Sequence, residues 1–194
     1  MAAGNDHGAA GAAPVADGSP PATGAAAPCT RLFLALWPDA TVRARLRARR
    51  DAWDWPRNAA PVPADKLHLT LHFLGAVPDQ RVPLLLDGLA VPFTPFTVRI
   101  GCPVLWHNGI AVLEPYETPP ALLDLHARLA QALPGFGLAP EARAYRPHVT
   151  MARRAGGVVL PPAEDPVEWL ADRYALVESR PGDGGGYTVL REYR

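Results

Sequence analysis

Cysteine is almost missing from this chain: Cys29 and Cys102 are the only two in 194 residues, and they fall in no C-x-x-C or Cys/His cluster. Neither a disulfide framework nor a thiolate metal site is indicated, and a reducing cytoplasm is the expected setting. Net charge is lacking as well. Nineteen basic residues balance nineteen acidic ones, so no global field advertises nucleic acid or a membrane surface, and any anion site must be local. No apolar run approaches the roughly 20 residues of a membrane helix. The N-terminus has neither the basic stretch nor the leucine-rich core of a secretory signal. A soluble, unexported protein without a membrane partner is expected. Lysine is reduced to Lys66 alone. No G-x-S-x-G, phosphate-loop or dinucleotide fingerprint occurs, and Cys102 has no basic neighbour to activate it.

What the chain does have begins after its tail. Residues 1–28 are almost all Ala, Gly, Pro, Asp and Ser, too poor in large apolar side chains to offset the entropy of ordering. A disordered tail is expected there, with His7 a bystander, and one folded domain over 29–194. Thr30–Trp37 is a nearly continuous apolar run of strand length ended by Pro38. Asp39 is placed to cap a helix to about Trp53, with Val42, Leu46 and Trp53 inward and its arginines in solvent. A Pro-rich loop from Trp55 to Pro63 follows. Asp79 predicts a second helix to about Ala90, with Leu84, Leu85 and Leu89 inward and Pro83 tolerated in the first turn.

Short strands are then predicted at Phe96–Ile100, Val104–Trp106 and Ile110–Leu113, with His107-Asn108-Gly109 as a hairpin turn. Thr118-Pro119 opens a third helix whose buried stripe is Leu122, Leu125, Leu129 and Leu133, bordered by His126. Val167–Val177 and Tyr187–Leu190 read as two closing strands. The pattern is α+β with a mainly antiparallel sheet.

Two stretches stand out. Leu67–Gly75 alternates strictly, Leu67, Leu69, Leu71 and Phe73 on one parity, His68, Thr70 and His72 on the other. In a strand the apolar set faces a core and His68 and Thr70 stand together on the opposite surface. Eighty positions on, Arg146–Met151 repeats the H-x-T spacing with His148 and Thr150. The two copies suggest an internal duplication.

Histidine exchanges protons near neutrality, so two imidazoles facing one phosphate can divide acid and base work. Threonine hydroxyls can donate to non-bridging oxygens as charge builds up there. No cofactor or metal is needed for a strained cyclic phosphodiester. The metal alternative, His68 with His72, fails on spacing: i and i+4 on a strand lie about 13 Å apart, and Asp65 and Asp79 merely flank the strand.

With both copies in hand, the chain resembles the two-histidine (2H) phosphoesterase superfamily, and within it the RNA 2',3'-cyclic phosphodiesterases, or LigT-like proteins. The resemblance rests on R-L-F-L-A-L-W-P at Arg31–Pro38, K-L-H-L-T-L-H-F-L-G at Lys66–Gly75, Y-R-P-H-V-T-M-A-R-R at Tyr145–Arg154 and L-V-E-S-R at Leu176–Arg180. It covers about residues 30–193. It implies two pseudo-symmetric lobes of mainly antiparallel sheet with helices outside and a central cleft. It also implies hydrolysis of 2',3'-cyclic phosphate ends to 2'-phosphates, with 2'-5' joining in some members. By position His68 matches the proton donor, His148 the proton acceptor, and Thr70 and Thr150 the phosphate-binding threonines; the residues themselves leave the acid and base roles open.

An arginine after the second motif also binds phosphate in that family, and Arg153 matches it. Strand parity favours Arg154 instead, unless the strand bulges. The expected partners are RNA ends or small cyclic-phosphate nucleotides, with no obligate protein partner and a monomeric state. Trp37, Trp106 and Tyr145 are candidates for base stacking, against a core-packing role for each. The competing readings are a nucleotide-binding module without turnover, and another 2H activity on tRNA-splicing cyclic phosphates or 2'-5' oligonucleotides.

Overall fold

The computed structural model describes residues 28–194 apart from 181, 183 and 184. The expected disordered tail, including His7, lies outside the described residues except for Pro28. The chain is α+β: β1 (Cys29–Leu36), α1 (Ala40–Asp51), β2 (Ala60–Pro61), β3 (Leu69–Pro78), α2 (Val82–Gly88), β4 (Phe96–Leu105), β5 (Ala111–Pro115), α3 (Pro120–Ala132), β6 (Val149–Arg153), β7 (Val167–Ala171), β8 (Tyr174–Ser179) and β9 (Tyr187–Tyr193).

All pairings are antiparallel. The strand order is β7-β4-β5-β6-β3-β1-β8-β9, with the short β2 added to β6. Each half of this order holds four strands, and the halves meet where β3 lies beside β6. The two H-x-T segments are therefore central neighbours, although eighty residues separate them in the chain. The apolar parity of Val167–Val177 hides a break: it is two strands, and β7 and β8 go to opposite halves of the sheet. Conversely, Phe96–Ile100 and Val104–Trp106 are one strand, β4, with a register shift between Ile100 and Cys102.

Helix α1 forms as its sequence dictates. Asp39 Oδ1 accepts from the Val42 amide at 2.8 Å, satisfying one of the amides a helix start leaves unpaired. Val42, Leu46 and Trp53 are buried. A fully buried leucine such as Leu46 contributes about 1.5–3 kcal/mol by leaving water. Asp79 does not cap α2. Its carboxylate accepts from the Thr30 hydroxyl at 2.7 Å, a 3₁₀ turn over Asp79–Arg81 precedes the helix, and Leu84 points outward while Leu85 and Leu89 are buried. In α3 the predicted stripe Leu122, Leu125, Leu129 and Leu133 is buried throughout.

Strand β3 departs most from its sequence pattern. Its partner β1 pairs Phe33 with Phe73, Leu34 with His72 and Ala35 with Thr70, so Leu71 is an extra residue, a β-bulge. The bulge inverts the alternation beyond it. Leu67, Leu69 and Leu71 are buried as expected, but His72 is buried at 1% exposure and Phe73 is 54% exposed. The strand also runs on past Gly75, where the alternating stretch stops. Gly75 takes φ +72 at a second shift between Leu32 and Phe33, a conformation glycine adopts at little cost, and β3 continues to Pro78.

Candidate active site

Both H-x-T segments use the same local device. The imidazole of His68 faces the Lys66 carbonyl through Nδ1 at 2.7 Å, and that of His148 faces the Arg146 carbonyl through Nδ1, also at 2.7 Å. A carbonyl only accepts, so Nδ1 carries the hydrogen in each ring and Nε2 is left to exchange protons. His68 Nε2 lies 3.1 Å from Thr70 Oγ1, whose hydroxyl donates to it while the ring is neutral. The four side chains line one cavity of about 370 Å³, together with Phe73 and Arg153.

The position of Arg153 follows from a second bulge. β5 pairs Ala111 with Ala152 and Val112 with Thr150, so Met151 is the extra residue. It stands immediately after the threonine, as Leu71 does in β3. Simple parity turned Arg153 away from His148; the bulge turns it back. Arg154 is displaced instead: it sits at φ 52 with Nε donating to the Asn58 carbonyl at 3.2 Å. The two bulges also make Phe73 and Arg153 equivalent, each five residues past its histidine and each on the cavity wall.

Aromatic rings buttress each imidazole. Trp37 stacks against His68 with centroids 5.6 Å apart, and Phe33 and Tyr187 approach it at 4.8 and 5.4 Å. Trp106 meets His148 edge-on at 4.4 Å. Desolvation by these walls pushes His68 down to about 4, helped by the positive charge of Arg153 and opposed by the hydrogen bond to Lys66. His148 is lowered by burial too, but the Glu114 carboxylate opposes this. Glu114 is held by Arg146 at 2.6 Å and by the Trp106 indole at 3.0 Å. Both imidazoles are neutral in the free protein at pH 7, and an anion between them would raise both.

This geometry can perform acid and base catalysis on a bound phosphate. Residues 37–183 match the 2'-5' RNA ligase superfamily. The chain belongs to that superfamily. It is 32% identical over 183 residues to a Thermus thermophilus protein named RNA 2',3'-cyclic phosphodiesterase, covering 84% of this chain and 89% of the relative. It is 31% identical over 169 residues to the Escherichia coli protein of the same name, covering 84% and 95%. Among solved structures, E. coli LigT complexed with 3'-AMP superposes with a TM-score of 0.76 at 28% identity, over 85% of this chain and 97% of that one. TT0787 of Thermus thermophilus does so at 0.71 and 28%, over 84% and 96%.

Several residues of this superfamily member's cavity escape a reading of the sequence. Phe73 reads as core because the bulge at Leu71 leaves no trace in the alternation. Tyr187 and Arg143 reach the cavity from distant segments, and Lys66, flanking the first motif, joins them with its Nζ donating to the Gly185 carbonyl at 2.7 Å. Trp37 and Trp106 pack on the catalytic candidates, and Tyr145 stacks on His126. His72 does not line the cavity; it is buried, with Nε2 donating to the His126 carbonyl. Among the described residues no group of three or more His, Cys, Asp or Glu is placed to hold a metal, and no helix is long and apolar enough to cross a membrane.

Proposed function

We propose that this chain hydrolyses the 2',3'-cyclic phosphate at RNA ends, or on small nucleotides, to a 2'-phosphate, without a metal. The observation that carries this reading is the pair of imidazoles on one cavity, each held through Nδ1 by a backbone carbonyl so that Nε2 is the nitrogen left for proton exchange with a substrate. Water attacks phosphorus, and His148 Nε2 takes its proton. The bond to the 3'-oxygen breaks, and His68, protonated as the anion binds, gives its Nε2 proton to that oxygen. Thr70 and Thr150 donate to the non-bridging oxygens, and Arg153 offsets their growing charge. Thr70 releases His68 Nε2 when phosphate enters. With a 5'-hydroxyl in place of water as the nucleophile, the same groups serve 2'-5' joining. The names borne by the relatives support this substrate class, and a monomer suffices because every named group comes from one chain.

The test incubates RNA ending in a 2',3'-cyclic phosphate with the protein and EDTA, and identifies the product isomer. A 2'-phosphate is expected, and His68→Ala and His148→Ala should each lower kcat/KM about 10²–10⁴-fold with the circular dichroism spectrum kept. Loss of activity in EDTA refutes the metal-free mechanism. Tight binding of the cyclic nucleotide without turnover indicates a nucleotide-binding module instead.

A further inference from the structure

The strands β3 and β6, each of which begins one residue after its histidine and carries the threonine, are joined by one backbone bridge, Leu69 to Val149. β1, by contrast, follows β3 from Cys29–Pro78 to Leu36–Leu69, and beyond the bridge the edge of β6 is occupied by β2. Sheet hydrogen bonding thus specifies the spacing between the two catalytic pairs only weakly. A side-chain tie spans the same gap. Tyr145, three residues before His148, donates its hydroxyl to the Thr70 carbonyl at 3.2 Å.

The tie is propped from behind. The Tyr145 ring stacks on His126 of α3 with centroids 3.9 Å apart and planes 12° apart. His126 stacks in turn on His72, at 4.0 Å and 19°. His72, which the Leu71 bulge turns away from the site, donates from Nε2 to the carbonyl of His126 itself at 2.9 Å. The column therefore starts and ends on β3, at His72 and Thr70, with α3 and the lead-in to β6 clamped between. Burial keeps the Tyr145 hydroxyl protonated as a donor, because its ionisation is pushed well upward. Both histidines are lowered by desolvation, so the stack is uncharged at neutral pH. The His72 Nδ1 atom has no partner, and only the neutral ring tolerates that.

We propose that Tyr145, braced by the stacked pair His126 and His72, is a positioning residue that sets the distance between the two H-x-T pairs and acts on the reaction through Thr70 and His148. This rests on the phosphodiesterase reading above. Misplacement of reacting groups by about 1 Å costs on the order of 10²-fold in rate, so a loosened tie lowers kcat more than it raises KM.

The test compares Tyr145→Phe, His126→Ala, His126→Phe and the double variant Tyr145→Phe/His126→Ala on a cyclic-phosphate-ended RNA. Tyr145→Phe, which removes only the hydroxyl, should lower kcat about tenfold or more. KM and the positions of the pH limbs should stay unchanged, because no ionising catalytic group is touched. His126→Ala should lower kcat similarly, and His126→Phe, which keeps a stacking ring, should recover most of it. The double variant should be no slower than the slower single variant, since both act through one tie. Wild-type kcat in Tyr145→Phe overturns the proposal, as do additive losses or a loss confined to KM. Absence of turnover by the wild type overturns the phosphodiesterase reading and this inference together; turnover unaffected by Tyr145→Phe overturns the inference alone.

Discussion

His68 is the more strongly displaced of the two candidate catalytic imidazoles, and Trp37 is the wall whose removal tests why. Bringing its pKa from 6.5 to about 4 corresponds to about 3 kcal/mol against the imidazolium. At pH 7 about one free molecule in a thousand carries that proton. With His68 as donor and His148 as acceptor, kcat/KM tracks the fraction of enzyme with the proton on His68. Above pH 6.5 it should therefore fall about tenfold per pH unit. Trp37→Ala admits water to one face of the ring, where the centroids now stand 5.6 Å apart.

Recovery of about one pKa unit by His68 should raise kcat/KM at pH 8 about tenfold. Were His68 the base, the same change would leave the rate at pH 8 unaltered, since the ring is already deprotonated there. The assay is a pH series of kcat/KM on a short RNA with a cyclic phosphate end, with the imidazole titrations followed by NMR. A wild-type limb centred above pH 7 refutes the desolvation argument. A Trp37→Ala protein that is folded, has the raised His68 pKa and shows no gain at pH 8 refutes the donor assignment.

The rival arginines separate cleanly by mutation: Arg153→Ala should lower kcat/KM by about 10²-fold, the range for losing a charge-stabilising donor. Arg154→Ala should remain near wild type, because that guanidinium is engaged with Asn58. Stability should fall as the solution is acidified. His68 and His126 both hold folded values of about 4, below the unfolded 6.5. The unfolded chain therefore binds more protons between those limits, and stability present above pH 6.5 is lost on the way down to 4. Each histidine contributes at most about 1.4 kcal/mol per pH unit. Chemical denaturation at pH 7, 6 and 5 measures the slope, and His126→Phe should flatten it; an unchanged slope counts against the buried neutral stack.

Much of the site was legible because local chemistry repeats. H-x-T spacing puts a histidine and a threonine on one face of any extended segment, and two copies in apolar strands predict two such faces. The buried stripes of α1 and α3 were legible for the same reason, since a helix turns its 3.6-residue period inward wherever it packs. Asp79 shows the limit: its type suits a cap, but Thr30, forty-nine residues earlier, claims its carboxylate. The division of Val167–Val177 into strands for opposite halves of the sheet has no local signal either.

The sequence by itself determined the four histidine and threonine side chains that line the cavity, the antiparallel α+β pattern and the family, because each depends on residue type and short-range spacing. Tertiary structure decided which neighbours share their cavity. A bulge is an extra residue relative to a partner strand, so it exists only once β1 lies against β3 and β5 against β6. Those two pairings bring Phe73 and Arg153 into the site, send His72 into the stack behind it, and settle on which side of the sheet every later side chain falls.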